Sequence, residues 1–435
     1  MVDLSLVTGW LPAVLTGIGF LVLLGLVLLP PRPSWWKRAV LLTTGTGLLV
    51  IGLNLFVTKV WKPFPDTLPT SVLVWAWLGL SGLAVAIALI VPRWRRWWTI
   101  VSALAGIIAL LGIAGVQINR FYGQYPTLGA ASGLTRPKLT ELESLGTAAE
   151  VVAAPEGEIL SEIWQPSGPL SEKGVVVQVR IPADGSGFRA RPSYVYLPPA
   201  YLATTPRPLL PVLVLLAGQP GNADSWLISG QLTRMMDRYA LAHKGLAPIV
   251  VMVDNLGANF VNPLCIDSKH GKVETYLTQD VPSWIRTNLQ TAGDRDTWAI
   301  AGLSNGGTCA LQMAVRAPET YGRFIDISGE YEPLDGSKHE TVKKFFDGDE
   351  AAYAAISPVE IMKQRKFAAT AGRIVAGKGD GTYYPQLKQV LAACEAAGMS
   401  MTWLELPGGH TWQVWAPGLE QSLDWLAAQT RLVPA

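Results

Sequence analysis

The chain has 435 residues, room for more than one domain and at least one sizeable core. A net charge of +2, with no basic stripe interleaved with aromatics, excludes nucleic acid as the expected partner. The three cysteines, Cys265, Cys309 and Cys394, have no metal-type spacing and no neighbouring histidine to complete a site, so no metal is expected; buried free thiols are the preferred reading, with a Cys265–Cys309 disulfide the alternative if this part lies outside the cell.

The apolar content is concentrated in the first 120 residues. Four apolar segments, at 4–29, 39–57, 71–91 and 97–118, each approach the roughly 20 residues a helix needs to cross a hydrocarbon core. A cleaved signal peptide fits the first poorly, because the terminus carries Asp3 instead of a basic region and three more segments follow. The first connection holds Arg32, Lys37 and Arg38 and the third Arg93, Arg95 and Arg96, whereas the second has Lys59 and Lys62 beside Asp66. The positive-inside bias then puts the first and third connections in the cytoplasm and both termini outside, with Trp35, Trp36, Trp94, Trp97 and Trp98 as interfacial anchors. No ionisable residue lies in mid-span, so transport has no candidate residue and an anchor is the preferred role, ahead of lipid delivery or partner docking.

From 121 to 157 the chain turns polar and rich in Gly, Pro and Ala, as a connector would, with one weak helical stretch at Lys138–Leu145. Beyond it, strand-like runs fall at 174–181, 192–197, 209–216, 248–254, 297–301, 323–328, 372–377 and 401–406, with amphipathic helical stretches between most of them. Leading strands followed by strand–helix alternation predict an α/β domain over 158–435, with a mostly parallel sheet covered on both faces and its ligand site at the carboxyl ends of the strands. The charged, helical segment 335–367 interrupts the alternation, as a cap would.

The organising stretch is Gly302-Leu303-Ser304-Asn305-Gly306, between an apolar run and helix-compatible sequence, which puts a serine at a strand-to-helix turn. A hydroxyl becomes a useful nucleophile when a histidine can take its proton and backbone N–H groups can meet the developing oxyanion. A Cβ at Gly302 or Gly306 would crowd the facing backbone. Of His243, His270, His339 and His410, the last follows the final strand, where a general base belongs. Asp380, in the loop after Arg373-Ile374-Val375-Ala376, is the preferred orienting acid, with Asp326, Glu330 and Glu405 as competitors. The expected oxyanion donors are the backbone N–H groups of Asn305 and Gln219, Gly218 being second to Gln219 because Pro220 has no N–H.

With these residues placed, the stretch from about 190 to 430 resembles the esterase family that includes esterase D and the mycolyltransferases of mycobacterial and corynebacterial envelopes. The resemblance rests on Leu215-Leu216-Ala217-Gly218 leading to Trp226, Val273-Glu274-Thr275-Tyr276-Leu277-Thr278, the Ser304 motif, Ile327-Ser328-Gly329 and Gly409-His410-Thr411-Trp412-Gln413-Val414-Trp415. It implies an α/β-hydrolase for acyl esters, often of envelope lipids or trehalose, without metal or organic cofactor. The mycolyltransferases look secreted and take their acid from another loop, so Asp380 is similar to the esterase D pattern. They are apolar where this chain reads Glu330-Tyr331-Glu332. Those carboxylates either receive a cationic group, such as the amine of an aminoacylated lipid, or are solvated rim charges, the preferred reading. Trp412, beside His410, is a further candidate contact for substrate.

The expectation is a multi-pass plasma-membrane protein with an extracytoplasmic serine esterase domain acting on a lipid or other amphiphilic ester. The alternatives are an acyltransferase that passes the acyl group to a sugar or lipid hydroxyl, and a non-catalytic envelope scaffold.

Overall fold

The computed structural model describes residues 3–28, 33–61, 67–90, 97–203 and 206–434. Two units divide the chain, Met1–Thr135 and Arg136–Ala435.

Among its described residues the first unit contains four long helices, α1 (Trp10–Leu28), α2 (Pro33–Leu55), α3 (Thr70–Ile90) and α4 (Trp97–Tyr122). Among the described residues three helical stretches are long and apolar enough to cross a membrane: Trp35–Trp61, Thr70–Ile90 and Ile100–Tyr122. The four expected helices are all present, and α1 is the one outside this set of three. Residues 3–9 hold a turn, a bridge from Ser5 to Thr127 and bends, Gly9 has a φ of 85°, and α1 begins only at Trp10. α2 runs on through a π-helical turn, Phe56–Trp61, which takes in Lys59. Small residues bring the helices together, since a Cβ at Gly82 would lie 2.3 Å from Leu110 and one at Gly79 2.9 Å from Ala114. Close approach of this kind holds helices together where lipid removes the hydrophobic drive to associate. Between α2 and α3, Trp77 Nε1 donates to the Thr43 carbonyl at 2.8 Å, and the hydroxyls of Thr46 and Ser81 meet at 2.8 Å. Trp36 and Trp97 are exposed, but Trp35 is buried among Ala39, Val85 and Leu89 instead of standing at an interface. Arg32, Lys62, Asp66, Arg93, Trp94, Arg95, Arg96 and the side chain of Trp98 lie outside the described residues.

The second unit is built on a sheet of nine strands: β1 (Leu139–Thr140), β2 (Val175–Val179), β3 (Ser193–Leu197), β4 (Val212–Leu216), β5 (Ile249–Val253), β6 (Trp298–Leu303), β7 (Arg323–Ile327), β8 (Ala371–Gly377) and β9 (Ser400–Leu406). Their order is β1-β2-β3-β5-β4-β6-β7-β8-β9, and only β3 runs antiparallel to its neighbours. β4, β5 and β6 are buried along their whole length, which is why they read as unbroken apolar runs. All eight expected strands are present, and alternating helices complete an α/β-hydrolase fold.

The ninth strand comes from the stretch expected to be a connector. Its β1 pairs with Val176 and Val177, and farther along Val151–Val152 pairs with Arg207–Pro208. The Lys138–Leu145 segment, expected to be weakly helical, supplies β1 and a 3-10 turn at Leu142–Leu145. Buried Arg207 holds this stretch by donating to the carbonyls of Gly146 and Leu145.

After β6 comes helix α5 (Asn305–Arg316). The 335–367 segment folds as α6 (Lys338–Phe346), started by a capping box between Ser337 and Glu340, followed by α7 (Glu350–Ala354) and α8 (Pro358–Gln364). Val342, Phe345, Tyr353 and Ile356 of this segment share a small core with Leu264 and Ile266 from the loop after β5. Cys265 and Cys309 are disulfide-bonded, overturning the preference for free thiols, whereas Cys394 is free and buried. The fold brings the two Cα atoms to 5.6 Å, within bridging reach, although 44 residues separate them in sequence.

Candidate active site

Ser304 sits between the end of β6 and the start of α5 with φ 52° and ψ −123°, a conformation that costs a non-glycine residue on the order of 1–3 kcal/mol and persists only where its surroundings hold it. Its N–H donates to the Ile327 carbonyl at 2.8 Å, and its own carbonyl accepts from the N–H groups of Gly307 and Thr308. The two flanking glycines are sterically required. A Cβ at Gly302 would lie 2.3 Å from the Gly306 carbonyl oxygen, and one at Gly306 2.5 Å from the Ala217 carbonyl oxygen.

The loops after β8 and β9 bring the other two side chains to this turn. They are stitched together by Gly379 N–H donating to the Gly408 carbonyl at 2.7 Å and Lys378 N–H to the Leu406 carbonyl at 2.8 Å. Asp380 Oδ2 lies 2.9 Å from His410 Nδ1, and His410 Nε2 lies 2.9 Å from Ser304 Oγ. An ionised carboxylate only accepts, so Nδ1 carries the proton and Nε2 is left to receive one from the serine. Asp380 is 5% exposed, and its other oxygen accepts from Tyr383 N–H at 3.1 Å. The imidazole is stacked on Tyr383 at 4.0 Å and meets Trp415 edge-to-face at 5.0 Å.

The competitors are placed elsewhere. Asp326 is fully buried within β7, accepts from Gly329 N–H, and is pushed up to about 7 by burial. Glu405 is bonded by the Tyr384 hydroxyl and faces Lys378, and that hydroxyl, first among its causes, holds its carboxyl below the usual range. His243 stacks on Tyr239, His270 lies against Phe345, and His339 is exposed on α6. A cavity of about 810 Å³ lined in part by His243, Arg373 and Trp425 contains none of the Ser304, His410 and Asp380 group.

Asn305 is the first residue of α5, so its N–H has no acceptor within the helix. The 216–221 loop reaches the nucleophile, since a Cβ at Gly218 would lie 3.1 Å from Ser304 Cβ; the Gln219–Pro220 peptide in this loop is cis. Trp412 is turned inward, 6% exposed and edge-to-face with Trp226 at 5.2 Å, so it belongs to the packing beneath the site. Glu332 pairs with Lys338 at 2.9 Å, and Glu330 is 8% exposed with its N–H bonded to Thr308 Oγ1.

Several neighbours were not assigned a place at the site by the sequence. Tyr383 and Trp415 flank the imidazole from the first turns of the helices Tyr383–Ala396 and Trp412–Glu420. Arg191 makes a close pair with the fully buried Asp254 side chain, Nη2 to Oδ1 at 2.6 Å, and also donates to the Gly221 carbonyl at 2.8 Å. Asn255 and Asn262 hold the Asn305 carboxamide from both ends, each at 3.1 Å.

Residues 189–426, more than half of the chain, match the Putative esterase family. An uncharacterized protein of Corynebacterium glutamicum is 36% identical over 415 residues, 93% of this chain and 92% of its own, so the likeness runs into the apolar N-terminal unit as well. An endo-1,4-beta-xylanase/feruloyl esterase of Xylanibacter ruminicola is 29% identical over 178 residues, 40% of this chain and 24% of that protein. Among solved structures a ferulic acid esterase matches with a TM-score of 0.50 at 20% identity, over 59% of this chain and 99% of its own, a likeness of fold. The chain belongs to the Putative esterase family, and its second unit is a carboxylic ester hydrolase.

Proposed function

We propose that the chain is a membrane-anchored serine esterase acting on an amphiphilic ester such as a cell-envelope lipid. The observation that carries this reading is the continuous relay Asp380–His410–Ser304, with both contacts at 2.9 Å. His410 takes the Ser304 proton as Oγ adds to the ester carbonyl carbon. The resulting oxyanion is met by the N–H groups of Asn305 and Gln219, while Asp380 stabilises the imidazolium. Collapse of the tetrahedral intermediate breaks the bond to the alcohol, which leaves with the proton from Nε2. A water deprotonated by His410 then adds to the acyl carbon, and breakage of its bond to Oγ frees the acid as Nε2 returns the proton to Ser304.

Two features support the setting. Apolar helices on the same chain would keep the site near a bilayer, where amphiphilic esters are concentrated. The Cys265–Cys309 bond belongs to an oxidising compartment, in keeping with an extracytoplasmic domain.

A fluorophosphonate probe should label the wild-type protein at Ser304 and fail to label Ser304→Ala; equal labelling of both would overturn the reading. Lipid profiles of membranes carrying wild-type or Ser304→Ala protein should differ by accumulation of one ester class in the variant, and that profile also shows whether the ester carries an amine. Identical profiles would count against an envelope-lipid substrate.

A further inference from the structure

Helix α5 carries Asn305, Cys309 and Gln312 at intervals that place them on one face. The loop 254–265, which follows β5, is fastened to that face at three points. The Asn305 carboxamide accepts from Asn255 and donates to Asn262, Cys309 is bonded to Cys265, and Gln312 donates to the Leu264 carbonyl at 2.9 Å. Leu264 and Cys265 have φ of 61° and 53°, conformations that side-chain-bearing residues keep only when held. At its outer end Asn259 accepts from Arg191, the side chain that also binds the Gly221 carbonyl of the proposed oxyanion loop. Between Asn259 and Asn262 stand Phe260 and Val261, 56% and 43% exposed. Two adjacent apolar side chains are thus about half exposed on a fastened loop. One flank is tied through Arg191 to the Gln219 loop and the other to Asn305, the two sources of oxyanion donors.

Sheet order divides the surroundings of Ser304 into two sides. β4 and β5 lie on one side of the Ser304 strand, and β7, β8 and β9, the last two of which lead to Asp380 and His410, lie on the other. The leaving alcohol must be within reach of His410, because Nε2 protonates it. The acyl substituent is left to the β4–β5 side. We propose that Phe260 and Val261 are the specificity-determining contact for the acyl chain of the substrate, a reading that rests on Ser304 being the nucleophile of an ester hydrolase.

The test compares the detergent-solubilised full chain with its Phe260→Ser/Val261→Ser variant on p-nitrophenyl octanoate and p-nitrophenyl acetate. Both positions are exposed, so the thermal midpoint should stay close to that of the wild type. The ratio of kcat/KM for octanoate to that for acetate should fall about tenfold, chiefly through KM for octanoate, because only the longer chain reaches the pair. An unchanged ratio, with Ser304 still labelled by fluorophosphonate, would overturn the acyl contact alone. Absence of labelling and of turnover in the wild type would overturn the nucleophile reading and this inference with it.

Discussion

The imidazole of His410 lies flat on the ring of Tyr383, with centroids 4.0 Å and planes 17° apart, while the Tyr383 N–H donates to Asp380 at 3.1 Å. One residue therefore positions two members of the relay, its ring setting the tilt of the imidazole and its backbone the carboxylate. Tyr383→Leu should lower kcat for a p-nitrophenyl ester by about ten- to a hundredfold, the scale of a misplaced catalytic group. KM should change little. Stopped-flow or steady-state kinetics below the variant's unfolding midpoint would check this, and an unchanged kcat would reduce Tyr383 to packing.

Asp380→Asn keeps the shape of the acid and removes its charge. Without a carboxylate to fix the Nδ1 proton and steady the imidazolium, kcat should fall by roughly 10⁴ with little change in stability. The steady-state rate together with the thermal midpoint separates this outcome from simple unfolding.

Gly302→Ala would drive a methyl group to within 2.3 Å of the Gly306 carbonyl oxygen. Neither backbone can yield without opening the turn that presents Ser304, so the substitution should cost about 1–3 kcal/mol of stability and nearly all esterase activity. Labelling by fluorophosphonate should fall in parallel. Retention of full labelling would show that the turn relaxes more easily than its geometry implies.

Arg191→Gln leaves Asp254, whose side chain is fully buried, without its guanidinium partner. Loss of one member of such a pair costs about 3–5 kcal/mol, since an uncompensated charge stays behind. Part of this is relieved here by the Leu256 and Gly257 N–H groups, which also donate to Asp254. A lowered urea midpoint should be joined by a fall in kcat, because the Gly221 carbonyl loses its anchor at the same time.

Burial raises Asp326 from 3.8 to about 7, and one of its oxygens has no hydrogen-bond partner. Between those two values the folded chain holds a proton that the unfolded chain has released, so this group's contribution to stability is greatest at low pH and falls as pH rises toward about 7. Asp326→Asn should remove that decline, and the difference in thermal midpoint between variant and wild type should grow in the variant's favour from pH 5 to pH 8.

β4, β5 and β6 were legible because strands buried along their whole length must be apolar throughout, and the flanking strands because their shorter apolar runs alternate with helical stretches. Ser304, Asp380 and His410 stood out as candidates because each lies shortly past a strand end with a glycine no more than two residues away. What was hidden depends on where side chains point. Trp412 adjoins His410 in sequence yet turns inward against Trp226, while Trp415, one helical turn on, meets the imidazole. Glu332 looked like a free carboxylate until Lys338, six residues away, was brought onto it. Cys265 and Cys309 could be paired only by knowing that the loop after β5 lies along α5. The first apolar run reads as helix from residue 4, but its opening residues form bends up to Gly9, so the helix starts at Trp10.

The two-residue strand β1 covers the open hydrogen-bonding edge of β2 at Val176 and Val177, and the residues just beyond it give buried Arg207 its carbonyl partners. An excised catalytic fragment should therefore begin at Arg136. Cut at 158, where the sequence alone would draw the boundary, it would present a bare strand edge able to recruit a second copy, and would aggregate for want of the residues 136–157 that look like a tether.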